Sequence, residues 1–147
     1  MTIYFDMDGT CADFYGVDGW LDDLENSRSR PYAEAKPLFN FSAFARQIHR
    51  LQKIGISVGI ISWLSKSGTK EFNEEVTEVK IEWLQKHLPS VQFDEIHIVK
   101  YGTPKQNFSN NPFDILFDDE EKNRKAWTGT AYDVQNILEI LRTIKGE

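Results

Sequence analysis

The chain has 147 residues, 17 Lys and Arg against 23 Asp and Glu, and a formal net charge of −6; 40% of it is hydrophobic and 27% charged. That length and balance describe one soluble globular domain, residues 1–147, with enough chain for a real core. The acidity excludes tight sequence-independent binding to duplex nucleic acid, which needs Lys and Arg to neutralise phosphates, and no apolar run approaches a membrane span.

Thr2-Ile3-Tyr4-Phe5 is a short apolar run ending at Asp6, the pattern of a buried strand, and Gly9 and Thr10 break it. Strand-like residues begin at Thr2 without a basic and then apolar leader, so the expected location is the cytoplasm. Cys11 is the single cysteine. It rules out an internal disulfide and reads as a small buried filler.

Residues 14–40 hold Trp20, Pro31, Tyr32, Pro37 and several acids, with a helical pattern only around Leu21 to Glu25. A connection of this length in a compact domain is functional or disordered, and its aromatic content argues against disorder. It is expected to form a small cap or lid inserted over the strand ends.

Phe41, Phe44, Ala45, Ile48 and Leu51 follow helical spacing, with Gly55 placed as the stop. Ile56 to Ile61 reads as a second strand that delivers Ser62 at its end. Phe72, Val76, Val79, Trp83 and Leu84 line one face of another helix, closed by Pro89. Ile96–Val99 makes a third strand. Phe113–Phe117 makes a fourth, which ends at Asp118-Asp119. A fifth short strand is predicted near Lys125-Ala126-Trp127. The last helix carries Val134, Ile137, Leu138 and Leu141 on one side, with Asp133 as its N-cap. His49, His87 and His97 lack metal-ligand spacing, and structural roles suffice for them.

Strands alternating with helices predict an α/β fold, a three-layer Rossmann-like parallel sheet with helices on both faces. In such sheets ligands bind at the carboxyl ends of the strands. Asp6, Ser62 and Asp118 all fall at such ends.

Asp6-Met7-Asp8-Gly9-Thr10 is the strongest chemical signal. At ordinary residue frequencies D-x-D-G-T arises by chance in roughly two chains in a thousand of this length. A carboxylate can attack phosphorus and split a phosphate-ester hydrolysis into two steps. A second carboxyl two residues on can protonate the leaving alkoxide and then deprotonate water. Gly9 permits the sharp turn that holds both near one phosphate. Asp118 and Asp119, beside Asp6, would repel it unless a cation joined them, and Mg²⁺ suits a few carboxylates plus phosphate oxygens.

The stretch from Asp6 to Phe14 resembles the first motif of the haloacid-dehalogenase-like (HAD) superfamily, and in particular that of its 5'(3')-deoxyribonucleotidases. The resemblance implies a phosphatase with Asp6 as nucleophile and Asp8 as acid/base partner. It implies that Ser62 holds a phosphate oxygen. A lysine should neutralise nucleophile and phosphate together; Lys105 and Lys100 compete, and Gly102-Thr103-Pro104-Lys105 is closer to the nucleotidase pattern. By the same resemblance Mg²⁺ is held by Asp6, the backbone carbonyl of Asp8, and Asp118, with Asp119 acting directly or through water. Asn123 is either a partner of that site or an exposed helix residue.

The expected substrate is a small phosphorylated molecule such as a nucleoside monophosphate, with Phe14, Tyr15, Trp20, Tyr32 and Phe39 either stacking on its base or forming the lid's own core. Two alternatives stand beside this reading. One is a phosphatase of a larger substrate, a nucleic-acid end or a protein, against which the acidity and the lack of a basic stripe weigh. The other is a non-catalytic binding module of the same fold. A phospho-receiver is excluded by chain order, since its acidic pair follows the first strand and here it comes last.

Overall fold

Strand β1 (Thr2–Phe5) runs through the middle of the molecule, with Ile3, Tyr4 and Phe5 wholly shielded from water. The computed structural model describes residues 1–146. Around β1 stand β2 (Ser57–Trp63), β3 (Glu95–Val99), β4 (Ile115–Phe117) and β5 (Thr130–Tyr132), all parallel, in the order β3-β2-β1-β4-β5. The chain builds outward from β1 to one edge and then returns to build the other. That reversal opens a crevice at the carboxyl ends of the strands next to β1.

The helices are α1 (Trp20–Glu25), α2 (Arg30–Glu34), α3 (Phe41–Lys53), α4 (Lys70–His87), α5 (Glu121–Ala126) and α6 (Ile137–Thr143). Single 3₁₀ turns span Phe14–Gly16 and Lys105–Phe108. No helix among the described residues is long and apolar enough to cross a membrane.

Strand alternation divides the core in two. Ile3, Phe5, Val58, Ile60, Ile115 and Phe117 face one way, against Phe44, Ile48 and Leu51 of α3, Trp83 and Leu84 of α4, and Ile137 and Leu141 of α6. Tyr4, Ile61 and Leu116 face the other way, under Trp127 and Phe108. On this second face a Cβ at Gly59 would lie 3.0 Å from the Tyr4 ring and 3.2 Å from the Glu95 carbonyl, so the packing there is close. This second layer is the lighter one, with Phe108 from a 3₁₀ turn and Trp127 from the end of a short helix.

Helix α3 begins where Asn40 accepts the Ala43 N–H at 3.0 Å. It ends at Gly55, φ +91°, where the Ile56 N–H reaches the Leu51 carbonyl and the Gly55 N–H the Gln52 carbonyl. That pair of bonds is the Schellman arrangement, and Gly55 supplies the left-handed residue it needs. In α4 the buried residues Phe72, Val76, Lys80, Trp83 and Leu84 form one stripe, and Thr69 caps the start by accepting the Phe72 N–H.

Four local expectations are corrected. Lys125 and Ala126 end α5, with Trp127 just beyond it, and are not a strand; strong helix formers and a Glu121–Lys125 pair at 3.0 Å favour the helix. The fifth strand is Thr130–Tyr132, alongside Ile115–Phe117. Because that strand runs to Tyr132, α6 starts late, after Asn136, and Asp133 accepts the adjacent Val134 N–H instead of capping the helix. Phe113 lies outside β4 and is 71% exposed, held out by the Asn111–Asp114 turn. Ser62 is the penultimate residue of β2, which continues through Trp63.

Residues 14–40 are more ordered than their pattern suggests. Their stem is closed by main-chain bonds from Asp13 N–H to the Lys36 carbonyl and from Leu38 N–H to the Cys11 carbonyl. Phe14, Trp20, Leu24 and Tyr32 pack on Phe72, Val76 and Val79 of α4. Phe39 belongs elsewhere: it packs edge-on against Phe41 and Phe44 in the main core. Cys11 is buried, as a filler should be.

Phe44 is wholly buried with its ring 5.0 Å from Phe5 and 4.9 Å from Phe39. Phe44→Ala should lower unfolding free energy by about 3–5 kcal/mol in a urea titration. A loss under about 1 kcal/mol would contradict this placement of the core.

Candidate active site

Strand register sets the site. Phe5 stands opposite Ile60 on one side and Phe117 on the other, so Asp6 leaves the sheet level with Asp118. The Asp6 N–H continues the ladder by donating to the Phe117 carbonyl at 3.0 Å. A tight turn follows, in which the Met7 carbonyl accepts the N–H groups of Thr10, Cys11 and Ala12. Gly9 holds φ +81°, and a Cβ on it would lie 2.4 Å from Asp119 Oδ2. Glycine is needed there both for the backbone angle and for the approach of that carboxyl.

Lys105, 2% exposed, joins the two central acids. Its Nζ donates to Asp6 Oδ1 at 2.9 Å and to Asp118 Oδ2 at 2.7 Å. Burial works against its charge, but Asp6 and Asp118 outweigh that and hold its pKa above the usual lysine value. Lys100, by contrast, is exposed just beyond β3.

Asp118 is fully buried and heavily bonded. Its Oδ1 accepts the Glu120 N–H at 2.9 Å, and its Oδ2 also accepts Asn123 Nδ2 at 3.1 Å. Asn123 is therefore a buried partner of this acid and not an exposed helix residue. Thr10 Oγ1 lies 3.2 Å from Asp6 Oδ2 and 3.3 Å from Asp119 Oδ1, and its single proton serves one of them at a time.

Asp8 turns toward the other side. Its Oδ2 accepts from Lys80 Nζ at 2.9 Å, and the same ammonium donates to Ser62 Oγ at 2.7 Å and to the Trp63 carbonyl at 2.8 Å. Ser62 is wholly buried. Lys80 is the residue that reading the sequence missed. A signal was present: Phe72, Val76, Lys80 and Leu84 repeat every four residues along the buried stripe of α4, and a lysine on such a stripe must have a partner.

Above these groups opens a cleft of about 560 Å³. Asp6, Asp8 and Lys105 lie on it. Phe14, Tyr15, Trp20 and Tyr32 form one wall, and Trp63 and Tyr101, rings 5.0 Å apart, belong to another. Lys66 stands over the Tyr101 ring at 5.7 Å.

Charge is not balanced here. Four carboxyls, of Asp6, Asp8, Asp118 and Asp119, face two ammonium groups, of Lys80 and Lys105. Asp6, Asp118 and Asp119 can bring one oxygen each within 4.8 Å of one another. Burial, and then Asp6, pushes Asp119 up to about 8 and Asp118 to about 6. Burial also raises Asp8 against the pull of Lys80. Clustered hard oxygen donors that resist ionising together are what a divalent cation such as Mg²⁺ relieves, and this donor set fits one.

No protein-family model and no curated protein sequence matches the chain. Among solved structures, the chain is similar to D,D-heptose 1,7-bisphosphate phosphatase from Burkholderia thailandensis, with a TM-score of 0.53 and 16% identity over 85% of this chain and 70% of that one. At that identity the likeness is one of fold.

The raised acids set a pH trend. Unfolded, they titrate near 4. Folded, they keep their protons to about 6 and 8, so over this window the folded state binds more protons than the unfolded chain. The stability they contribute is then present below about pH 4 and is lost as pH rises toward 8. In EDTA the melting temperature should fall over this range more steeply than in Asp119→Asn. Parallel profiles for the two proteins would contradict the placement of Asp119.

Proposed function

We propose that this chain is a Mg²⁺-dependent phosphomonoester hydrolase that works through an aspartyl phosphate on Asp6. The observation that carries the proposal is the position of Asp6. It lies at the carboxyl end of the central strand, on a cleft, with a buried lysine bonded to it and two more acids beside it. A fold shared with a phosphatase, and the D-x-D-G-T resemblance to HAD phosphatases, point the same way.

In this reading an Asp6 oxygen attacks phosphorus in line, the P–O bond to the substrate breaks, and the departing alkoxide takes a proton from Asp8. Asp8, now a carboxylate, removes a proton from water. The water oxygen attacks phosphorus, the bond to Asp6 breaks, and inorganic phosphate leaves with Asp8 reprotonated. Lys105 holds Asp6 for the attack and offsets charge on the phosphoryl oxygens. Asp6, Asp118, the Asp8 carbonyl and Asp119 would hold Mg²⁺, which when bound neutralises charge on the transferring group.

Residues 14–40 act as a small cap on a single domain. Its aromatic wall, facing the cleft together with Trp63 and Tyr101, favours a planar group on the substrate, and a nucleoside monophosphate combines such a plane with the phosphate.

The test is phosphate release from a panel of nucleoside monophosphates and sugar phosphates, with Mg²⁺ or EDTA. Asp6→Asn should reduce turnover to background while the protein stays folded, and EDTA should do the same to the wild type. Asp8→Asn should lower kcat by about 10²–10⁴-fold. Turnover unchanged in Asp6→Asn would remove the nucleophile from this account.

A further inference from the structure

Three hydrogen bonds at the cleft converge on Lys80, a residue the proposed chemistry does not use. Lys80 is 1% exposed, and its Nζ donates to Asp8 Oδ2, Ser62 Oγ and the Trp63 carbonyl. An ammonium has three hydrogens, so all of them are committed and none remains for a substrate. The Tyr32 ring stands 5.1 Å from the same nitrogen, from the 14–40 segment. An apolar residue would suit this position on the α4 stripe, and burying a lysine is costly unless every donor is met. Here every donor is met, and one of them by Asp8.

We propose that Lys80 is a positioning residue for Asp8. Two of its bonds fix the ammonium to the end of β2, at Ser62 and Trp63. The third holds one oxygen of Asp8, on the turn that contains Gly9. Among the described residues Asp8 Oδ1 has no hydrogen-bond partner, so the held carboxyl keeps one oxygen for the reacting group. Ser62, wholly buried, serves in this arrangement as an anchor for Lys80. Tyr32 sets its ring against the same ammonium, so residues 14–40 touch the lysine that holds Asp8. Misplacing a catalytic group by about 1 Å can cost about 10²-fold in rate, and that is the loss Lys80 prevents.

This inference rests on the phosphatase reading above, with Asp8 as the proton donor. It separates from a general structural role by the leaving group. From p-nitrophenyl phosphate the leaving group is p-nitrophenolate, a stabilised anion that needs no proton, whereas the alkoxide leaving an alkyl phosphate does. The ratio kcat/KM reports the steps through formation of the phospho-enzyme. Lys80→Met should therefore lower kcat/KM for alkyl phosphates by about 10²-fold and for p-nitrophenyl phosphate by less than about tenfold. Should Lys80→Met fail to fold, Lys80→Gln keeps a polar tip but cannot make all three bonds, and it should show the same asymmetry. Equal losses on both esters, or no loss on either, would overturn the positioning role while leaving the phosphatase reading in place. A folded wild type that releases phosphate from no ester in Mg²⁺ would overturn both.

Discussion

The ammonium of Lys105, lodged between Asp6 and Asp118, is the interaction around which the site is organised. Asp6 and Asp118 leave neighbouring parallel strands at one level, and without a cation between them their carboxylates would repel at close range. Burying such an ion triad is not a strong source of stability, because the desolvation cost offsets most of the attraction. What it provides is a fixed geometry at the one place where the sheet presents two acids side by side. Asn123, the Glu120 N–H and Arg124, which donates to the Asp118 carbonyl at 3.0 Å, hold the same point from the start of α5.

Lys80 repeats the solution on the other side of β1, with Asp8 and Ser62 in place of the two strand-end acids. The site therefore has two buried lysines, each bridging an acid of the Asp6–Asp8 turn to a neighbouring strand. Among the described residues Asp119 has no such lysine bond, and its raised pKa is the remaining imbalance that a divalent cation would correct. The large core under α3, α4 and α6 keeps the strands in register. The lighter second layer and the turns after β1 and β4 carry Lys105, Asn123 and the acids of the site.

The long, periodic elements were legible because pattern and packing agree in them. Phe41 to Leu51 repeats like a helix and is buried like one, and Gly55 stops it through a specific pair of main-chain bonds. The D-x-D-G-T turn was legible because glycine and two acids after an apolar strand leave few structural alternatives. The helices of residues 14–40 were legible only in part: Leu21 to Glu25 hinted at α1, but α1 and α2 have six and five residues, too few to show a full period, and α2 left no signal. They form because Trp20, Leu24 and Tyr32 find partners on α4, at Phe72, Val76 and Val79, far along the chain. The fifth strand was misplaced for a related reason. Lys125-Ala126-Trp127 contains an aromatic that is buried from the end of a helix, where Trp127 Nε1 donates to the Asp114 carbonyl at 2.9 Å. Lys80 is harder to read because the helix around it is amphipathic and the partners that hold its ammonium, Asp8 and Ser62, lie 72 and 18 residues away in the chain.

The measurement closest to the central claim is the identity of the phosphorylated residue during turnover. The protein would be mixed with a radiolabelled phosphomonoester and Mg²⁺, quenched in acid, digested, and the labelled peptide sequenced. The account predicts acid-stable, hydroxylamine-labile label on Asp6 and none when Asp6 is Asn. Label on any other residue, or steady turnover with no label on the protein at any quench time, would contradict it.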